Sequence, residues 1–166
     1  DRQRRFAHLF ELAVPLYRQF EKVRKSALAI LVSLICGSAT ASLSAIAIAS
    51  LLGASQLSVM SVAPKSTTAP IAMGIVEQLG GLPSLTAVLV ILTGILGAMF
   101  GPLLLTALGI RDWEARGFAI GVSSHGIGTA RALQVNEAAG AFAGLAMGLN
   151  ALATAILLPL VWGMFF

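Results

Sequence analysis

Charge is what this sequence has least of. Only 11% of its 166 residues are Asp, Glu, Lys or Arg, where a soluble domain carries about a quarter. Hydrophobic residues make up 57% and the mean hydropathy is +0.90. Too few charges are present to clothe a water-facing surface, so a soluble domain is excluded and a membrane protein is expected. Cysteine is scarcer still. The single Cys36 excludes an internal disulfide and any multi-cysteine metal site, and its apolar surroundings make it a small buried residue. Two histidines, one of them near the N-terminus, do not make a metal site. No acidic residue is placed to orient His125 beside its neighbouring serines, and their spacing matches no nucleophile elbow. Nothing supports an enzyme or a resident cofactor. A charged, apolar and cleavage-site sequence of the secretory kind is also missing, and the opening at Asp1 reads as a fragment rather than a natural start.

The charges that are present are unevenly placed. Arg2, Arg4, Arg5, Arg18, Lys22, Arg24 and Lys25 crowd the first 25 residues and supply most of the net charge of +4. Such a run beside a hydrophobic span reads as a cytoplasmic anchor rather than a nucleic-acid surface. Residues 1–26 are therefore a basic N-terminal segment, and residues 27–166 a single membrane domain. Between Ser26 and Ile110 the charged side chains are Lys65 and Glu77, and after Gly117 the ionisable ones are His125, Arg131 and Glu137. Glu77 and Glu137 are expected near water.

Three stretches are apolar and long enough to cross a bilayer, which takes about 20 residues. They are Ala27 to Leu52, Leu82 to Ile110 and Ala138 to Phe166. Gly94, Gly97 and Gly101 flatten one face of the second, and Gly140, Gly144 and Gly148 one face of the third. Small residues at such spacing let helix backbones approach closely. Two other segments, Ala54 to Gly81 and Gly117 to Asn136, are broken by Pro, Gly, Ser and Thr. A shift of about 60 residues lays Val62 on Val122, Lys65 on His125 and Glu77 on Glu137, and internal repeats of this kind are common in secondary transporters. The expected fold is an all-α, polytopic membrane protein with inverted repeats, each a transmembrane helix plus a broken or re-entrant helical hairpin. The positive-inside rule, applied to Arg111 and Arg116, brings the two hairpins in from opposite faces.

Non-helical backbone at membrane depth must be covered by protein or line a wet cavity. In the first break Pro64 ends one short helix, Pro70 suits the first turn of the next, and Thr67 or Thr68 caps it. The free N–H groups of that helix start, with Lys65 and Ser66 beside them, seek an anion. In the second break Gly126 and Gly128 permit unusual backbone conformations, and Thr129 starts a helix running through Arg131. Ser123, Ser124 and His125 add polar groups, and Arg131 is suited to grip a carboxylate with two parallel bonds. Asn150, in the middle of the third span, either bonds across helices or faces the same cavity. Lys65 and Arg131 each have a second role open to them, snorkelling to an interface. His125 is either a structural donor or the proton carrier. Together the two breaks suit a small carboxylate with an extra oxygen, coupled to a proton or sodium ion.

The motifs AVPLYRQ (Ala13 to Gln19), PKSTTAPIA (Pro64 to Ala72) and SHGIGTARA (Ser124 to Ala132) resemble those of the LrgB/CidB family of bacterial membrane proteins, and the likeness runs from Leu12 to Phe166. The resemblance implies a multi-pass protein of the bacterial cytoplasmic membrane, oligomeric and accompanied by a smaller LrgA-type partner. The family has been described as holin-like or antiholin-like, affecting murein hydrolase export and autolysis. A similar domain in the plastidic glycolate/glycerate translocator, and a link of bacterial relatives to pyruvate uptake, imply a carrier of 2-hydroxy or 2-oxo monocarboxylates. The charged segment Asp1 to Glu11 departs from the family, which has further apolar spans before AVPLYRQ.

Overall fold

The computed structural model describes residue 17 and residues 19–165. The charged opening segment and most of the AVPLYRQ motif lie outside the described residues. Those described form seven helices and no strand: α1 (Phe20–Lys25), α2 (Ala27–Leu51), α3 (Gln56–Val62), α4 (Ala69–Leu79), α5 (Pro83–Ala107), α6 (Trp113–Val135) and α7 (Glu137–Phe165).

Helices α2 and α5 have 25 residues each, about 37 Å at 1.5 Å per residue, enough to cross a hydrocarbon core of about 30 Å. With α7 they are the three helices long and apolar enough to span. In α7, 44% of the most apolar stretch is buried, against 11% in α2 and 17% in α5. The last helix is therefore the central post and the other two are peripheral. Their outer faces expose Leu28, Leu31 and Ile35 on α2 and Ile91, Leu92 and Ile95 on α5. Such stripes suit lipid tails and would be a liability in water. Cys36 lies on the exposed side of α2, correcting the expectation of burial.

The glycines act as contact points. A Cβ on Gly97 would lie 1.8 Å from Ser124 Oγ, and one on Gly101 2.5 Å from Ile120, so α5 rests directly on α6. Gly117 and Gly121 of α6 meet the backbone of Ala139 and Ala143 on α7, at 2.1 and 2.2 Å from a built Cβ. In the stripe along α7, Gly140 packs on Leu133 while Gly148 faces open space.

The two broken segments take different forms. Helices α3 and α4, of 7 and 11 residues, are each too short to cross. Ser55 caps α3, its Oγ accepting from the Ser58 N–H at 3.3 Å, and α4 ends on Gly80 in the left-handed region at φ 82°. Ser61 fastens the pair to α5: its Oγ accepts from the Leu82 N–H at 3.0 Å and its carbonyl accepts from Thr86 Oγ1 at 3.0 Å.

Helix α6 reverses at His125. The backbone there, at φ 41° and ψ −135°, is close to the first central position of a type II′ turn, which glycine normally occupies. The limbs before and after it lie together: a Cβ on Gly128 would be 3.3 Å from the Ile120 carbonyl oxygen, whereas eight residues of straight helix would separate them by about 12 Å. Gly117 and Leu133 both pack against the first turn of α7. The unusual conformation was expected at Gly126 or Gly128. Neither has positive φ; Gly128 serves instead as the close contact between limbs.

Candidate functional site

The tip of each broken segment lies at one side chain. Asn150, 1% exposed, donates from Nδ2 to the Ser66 carbonyl at 3.0 Å and to the Val122 carbonyl at 3.3 Å. Ser66 follows the end of α3, and Val122 is in the last turn before the reversal in α6. Both carbonyls sit where regular helical partners run out, so one amide on the central helix closes both breaks. Thirteen residues of α7 separate Asn150 from Glu137, about 20 Å, which sets the junction deep along the span.

Around it the first break supplies four polar residues. Ser66 and Thr67 are buried and Lys65 and Thr68 half-buried. Lys65 Nζ donates to Ser66 Oγ at 3.3 Å. Thr68 is the N-cap of α4 by its extended backbone, φ −68° and ψ 145°, and Pro70 stands in the first turn as expected. The side chain makes no capping bond, so the hydroxyl contribution foreseen for Thr67 or Thr68 is not made. Two buried side-chain oxygens have no hydrogen-bond partner among the described residues: Thr67 Oγ1 and Asn150 Oδ1.

The second break is held more rigidly. His125 is 5% exposed, and its Nε2 donates to the Val90 carbonyl of α5 at 2.8 Å. Nothing in the composition marks Val90, because it acts through a backbone acceptor in an apolar span. Ser124 is fully buried against Gly97. Ser123 is exposed, donating to the Ala119 carbonyl at 2.8 Å and lying 3.1 Å from Ser124 Oγ. Gly126 is exposed with room beside it. The helix resumes directly after His125, so Thr129 does not start it. Thr129 lies in its first turns, with Oγ1 donating back to the His125 carbonyl at 2.8 Å.

This early restart moves Arg131 away from the junction. Six residues past the tip, it is about 9 Å down the return limb, exposed, and donates to Gln134 Oε1 at 3.4 Å. It lines a small pocket of about 50 Å³ with Trp113, Arg116 and Val135. The structure joins Ser66 and Val122 at Asn150, with Lys65 on the Ser66 hydroxyl, and sets Arg131 beside Trp113 and Arg116 at the base of the hairpin. Glu77 and Glu137 are exposed.

A groove of about 450 Å³ leads toward the junction between α2 and α6. Its wall along α2 runs from the cap Ser26 through Ala29, Ile30, Ser33 and Gly37 to Ala41; along α6 it runs from the cap Asp112 and Glu114 to Val122 and Ser123. Lys22 of α1 pairs with Glu114 beside it. That pairing brings the starts of α2 and α6 to one end of the bundle. Arg116 ties the end of α5 to the same place, donating to the Ile110 carbonyl at 2.8 Å and the Pro102 carbonyl at 3.0 Å. The ammonium of Lys22, hydrogen-bonded to Glu114, holds the Glu114 carboxyl below the usual carboxylate range. Among the described residues no group of three or more His, Cys, Asp or Glu side chains could hold a metal ion.

Three spanning helices around two interrupted segments define an all-helical membrane protein. The chain belongs to the LrgB-like family, whose model matches residues 9–164. It is 38% identical over 151 residues to an uncharacterized protein of Haemophilus influenzae and 37% identical over 147 residues to the uncharacterized protein YwbG of Bacillus subtilis. Those matches cover 91% and 89% of this chain, which spans 65% of the length of each relative. It is also 30% identical over 155 residues to the holin-like protein CidB of Staphylococcus aureus, covering 93% of this chain and 68% of that protein. No solved structure matches the chain.

Proposed function

We propose that this protein is a secondary carrier for small monocarboxylates of the 2-hydroxy or 2-oxo type, such as glycolate, glycerate and pyruvate. The observation that carries the reading is the Asn150 junction, where two broken segments share one amide and leave two buried oxygens unpaired. Broken helices meeting deep in a bilayer are how transporters expose backbone dipoles to a substrate. The uncapped start of α4 and the Lys65 ammonium give that place a positive character suited to a carboxylate.

The reading carries a topology. With α2 and α5 each crossing once, and the start of α2 beside the end of α5, segment 52–82 begins and ends on the face opposite Lys22. Helices α3 and α4 then enter and return from that face, and α6 enters and returns from the Lys22 side. This is an inverted repeat of one span plus one hairpin. The basic residues around Lys22 assign that side to the cytoplasm of the bacterial inner membrane, and the groove ending at Val122 serves as the inward path. Alternating access moves the hairpins against the peripheral spans, in an oligomer and with an LrgA-type partner. The coupling ion is a proton carried by His125, or a sodium ion in its place.

The staphylococcal relatives, each a holin-like protein CidB, favour a second reading, a holin-like membrane protein, to which the family resemblance adds control of murein hydrolase release. Ligand binding separates the two. The full-length protein in detergent, heated with glycolate, glycerate, lactate or pyruvate, is expected to gain thermal stability with at least one acid, and Lys65→Ala to lose most of that gain. No shift with any acid at millimolar concentration favours the holin-like reading.

A further inference from the structure

Two features of Asn150 narrow the substrate further. Both hydrogens of its amide nitrogen are committed, to the carbonyls of Ser66 and Val122 at 3.0 and 3.3 Å. An Asn side chain has two donors on nitrogen and acceptor capacity on oxygen. Turning the amide over would aim Oδ1 at two carbonyl oxygens, so its orientation is fixed by its neighbours. The remaining atom, Oδ1, is buried, acceptor-only and without a partner. A buried polar atom in that condition is normally satisfied by something that binds there.

An unpaired acceptor is satisfied by a hydrogen-bond donor or by a cation. Charge decides against the cation. The Lys65 ammonium lies on the hydroxyl of Ser66, the residue whose carbonyl Asn150 holds, and the positive end of α4 begins two residues later with no side-chain cap. Thr67 Oγ1, the other unpaired oxygen, is a hydroxyl able to donate or accept, and so exerts no preference of its own. Asn150 Oδ1 accepts only. An anion that also carries a donor meets both demands.

We propose that Asn150 Oδ1 accepts a hydrogen bond from the 2-hydroxyl of the bound acid, making Asn150 the residue that selects 2-hydroxy over 2-oxo and unsubstituted monocarboxylates. The inference rests on the carrier reading above. A 2-oxo acid turns a second acceptor toward Oδ1, and an alkanoate leaves it unpaired; sites built around a buried hydrogen-bonding group reject ligands that cannot complete it. Thr67, by contrast, contributes to affinity for all three kinds of acid.

The test uses the full-length protein in proteoliposomes, with labelled glycolate as the transported acid and unlabelled lactate, pyruvate and propionate as competitors of equal carbon number. Lactate is expected to inhibit at concentrations about tenfold or more below those needed for pyruvate or propionate. Thr67→Val is expected to weaken all three competitors together, keeping their ratio, and Asn150→Leu to bring the ratio close to one on whatever uptake it retains. The wild-type ratio can overturn the inference even if Asn150→Leu does not fold. Pyruvate competing as well as lactate in the wild type, with glycolate uptake intact, overturns this inference and leaves the carrier reading standing; it is the result expected if Oδ1 holds only a structural water. Absence of glycolate uptake while labelled pyruvate is still taken up overturns this inference alone; uptake of neither acid overturns both.

Discussion

Asn150 and Ser66 are separated by 84 positions in the chain and by 3.0 Å in space, the amide of one donating to the carbonyl of the other in a buried contact. The same nitrogen reaches Val122. One polar side chain on the central helix thus does for both breaks what continuous helix does elsewhere. Replacing it with leucine keeps the volume and strands both carbonyls, at about 1–3 kcal/mol for each buried group left unpaired. Thermal melting of Asn150→Leu in detergent is expected to show a clear loss, larger than for leucine at a lipid-facing position such as Ile35.

The reversal at His125 places a non-glycine residue at φ 41°, a conformation that costs about 1–3 kcal/mol and persists only when its surroundings enforce it. The hydrogen bond to Val90 is one of the contacts that hold it, beside the packing of Ser124 on Gly97 and of Gly128 on Ile120. His125→Ala loses the bond and keeps the strain, whereas His125→Gly loses the bond and relieves it. The glycine variant is expected to be the more stable of the two by about 1 kcal/mol. Equal melting temperatures would contradict a strained tip.

The α6 and α7 backbones touch at Gly117 and Gly121. A side chain there meets carbonyl oxygens and Cα atoms that cannot rotate aside. Gly117→Val or Gly121→Val is expected to cost about 3 kcal/mol or more, at the upper end for overpacking, visible as low yield of folded protein by size-exclusion chromatography. Gly148, on the same central helix but facing open space, is the control: Gly148→Ala is expected to be neutral or to stabilise by about 0.5–1 kcal/mol through helix propensity.

The ion pair of Lys22 and Glu114 has a pH signature. The folded state lowers the Glu114 pKa, chiefly through the hydrogen bond from Lys22. Its contribution is therefore complete above the unfolded value of about 4.3 and declines as pH falls below that, through the folded value. Lys22 is 59% exposed, so solvent screening keeps the coupling below about 1 kcal/mol. A double-mutant cycle of Lys22→Met and Glu114→Gln, read by melting at pH 7 and at pH 3, is expected to give a small positive coupling at the first and a smaller one at the second.

Much of this architecture is legible in the residues because lipid imposes a simple code. The three spanning helices match the apolar stretches to within a few residues, since length and hydropathy alone decide them. The polar interruptions mark the broken segments for the same reason. What the sequence hides is direction at atomic scale. Gly126 and Gly128 advertise the special backbone position, yet tertiary contacts impose it on His125. The helix therefore restarts at Gly126, three residues before Thr129, and carries Arg131 toward the base of the hairpin. Cys36 shows the limit of reading burial from apolar neighbours, because in a spanning helix such residues face lipid as readily as protein. Asn150 stands out as an amide in a greasy span, but its two partners are backbone carbonyls and leave no trace in composition.

The most direct measurement of the central claim is flux. Full-length protein in proteoliposomes, given labelled glycolate outside and dyes of graded size inside, is expected to take up glycolate along a saturating curve while retaining every dye. Lys65→Ala is expected to reduce that uptake by about tenfold or more, the loss of a charge-assisted contact. Uptake that rises linearly with concentration, is indifferent to Lys65 and is accompanied by dye release would contradict a carrier site between the two hairpins and establish a pore in its place.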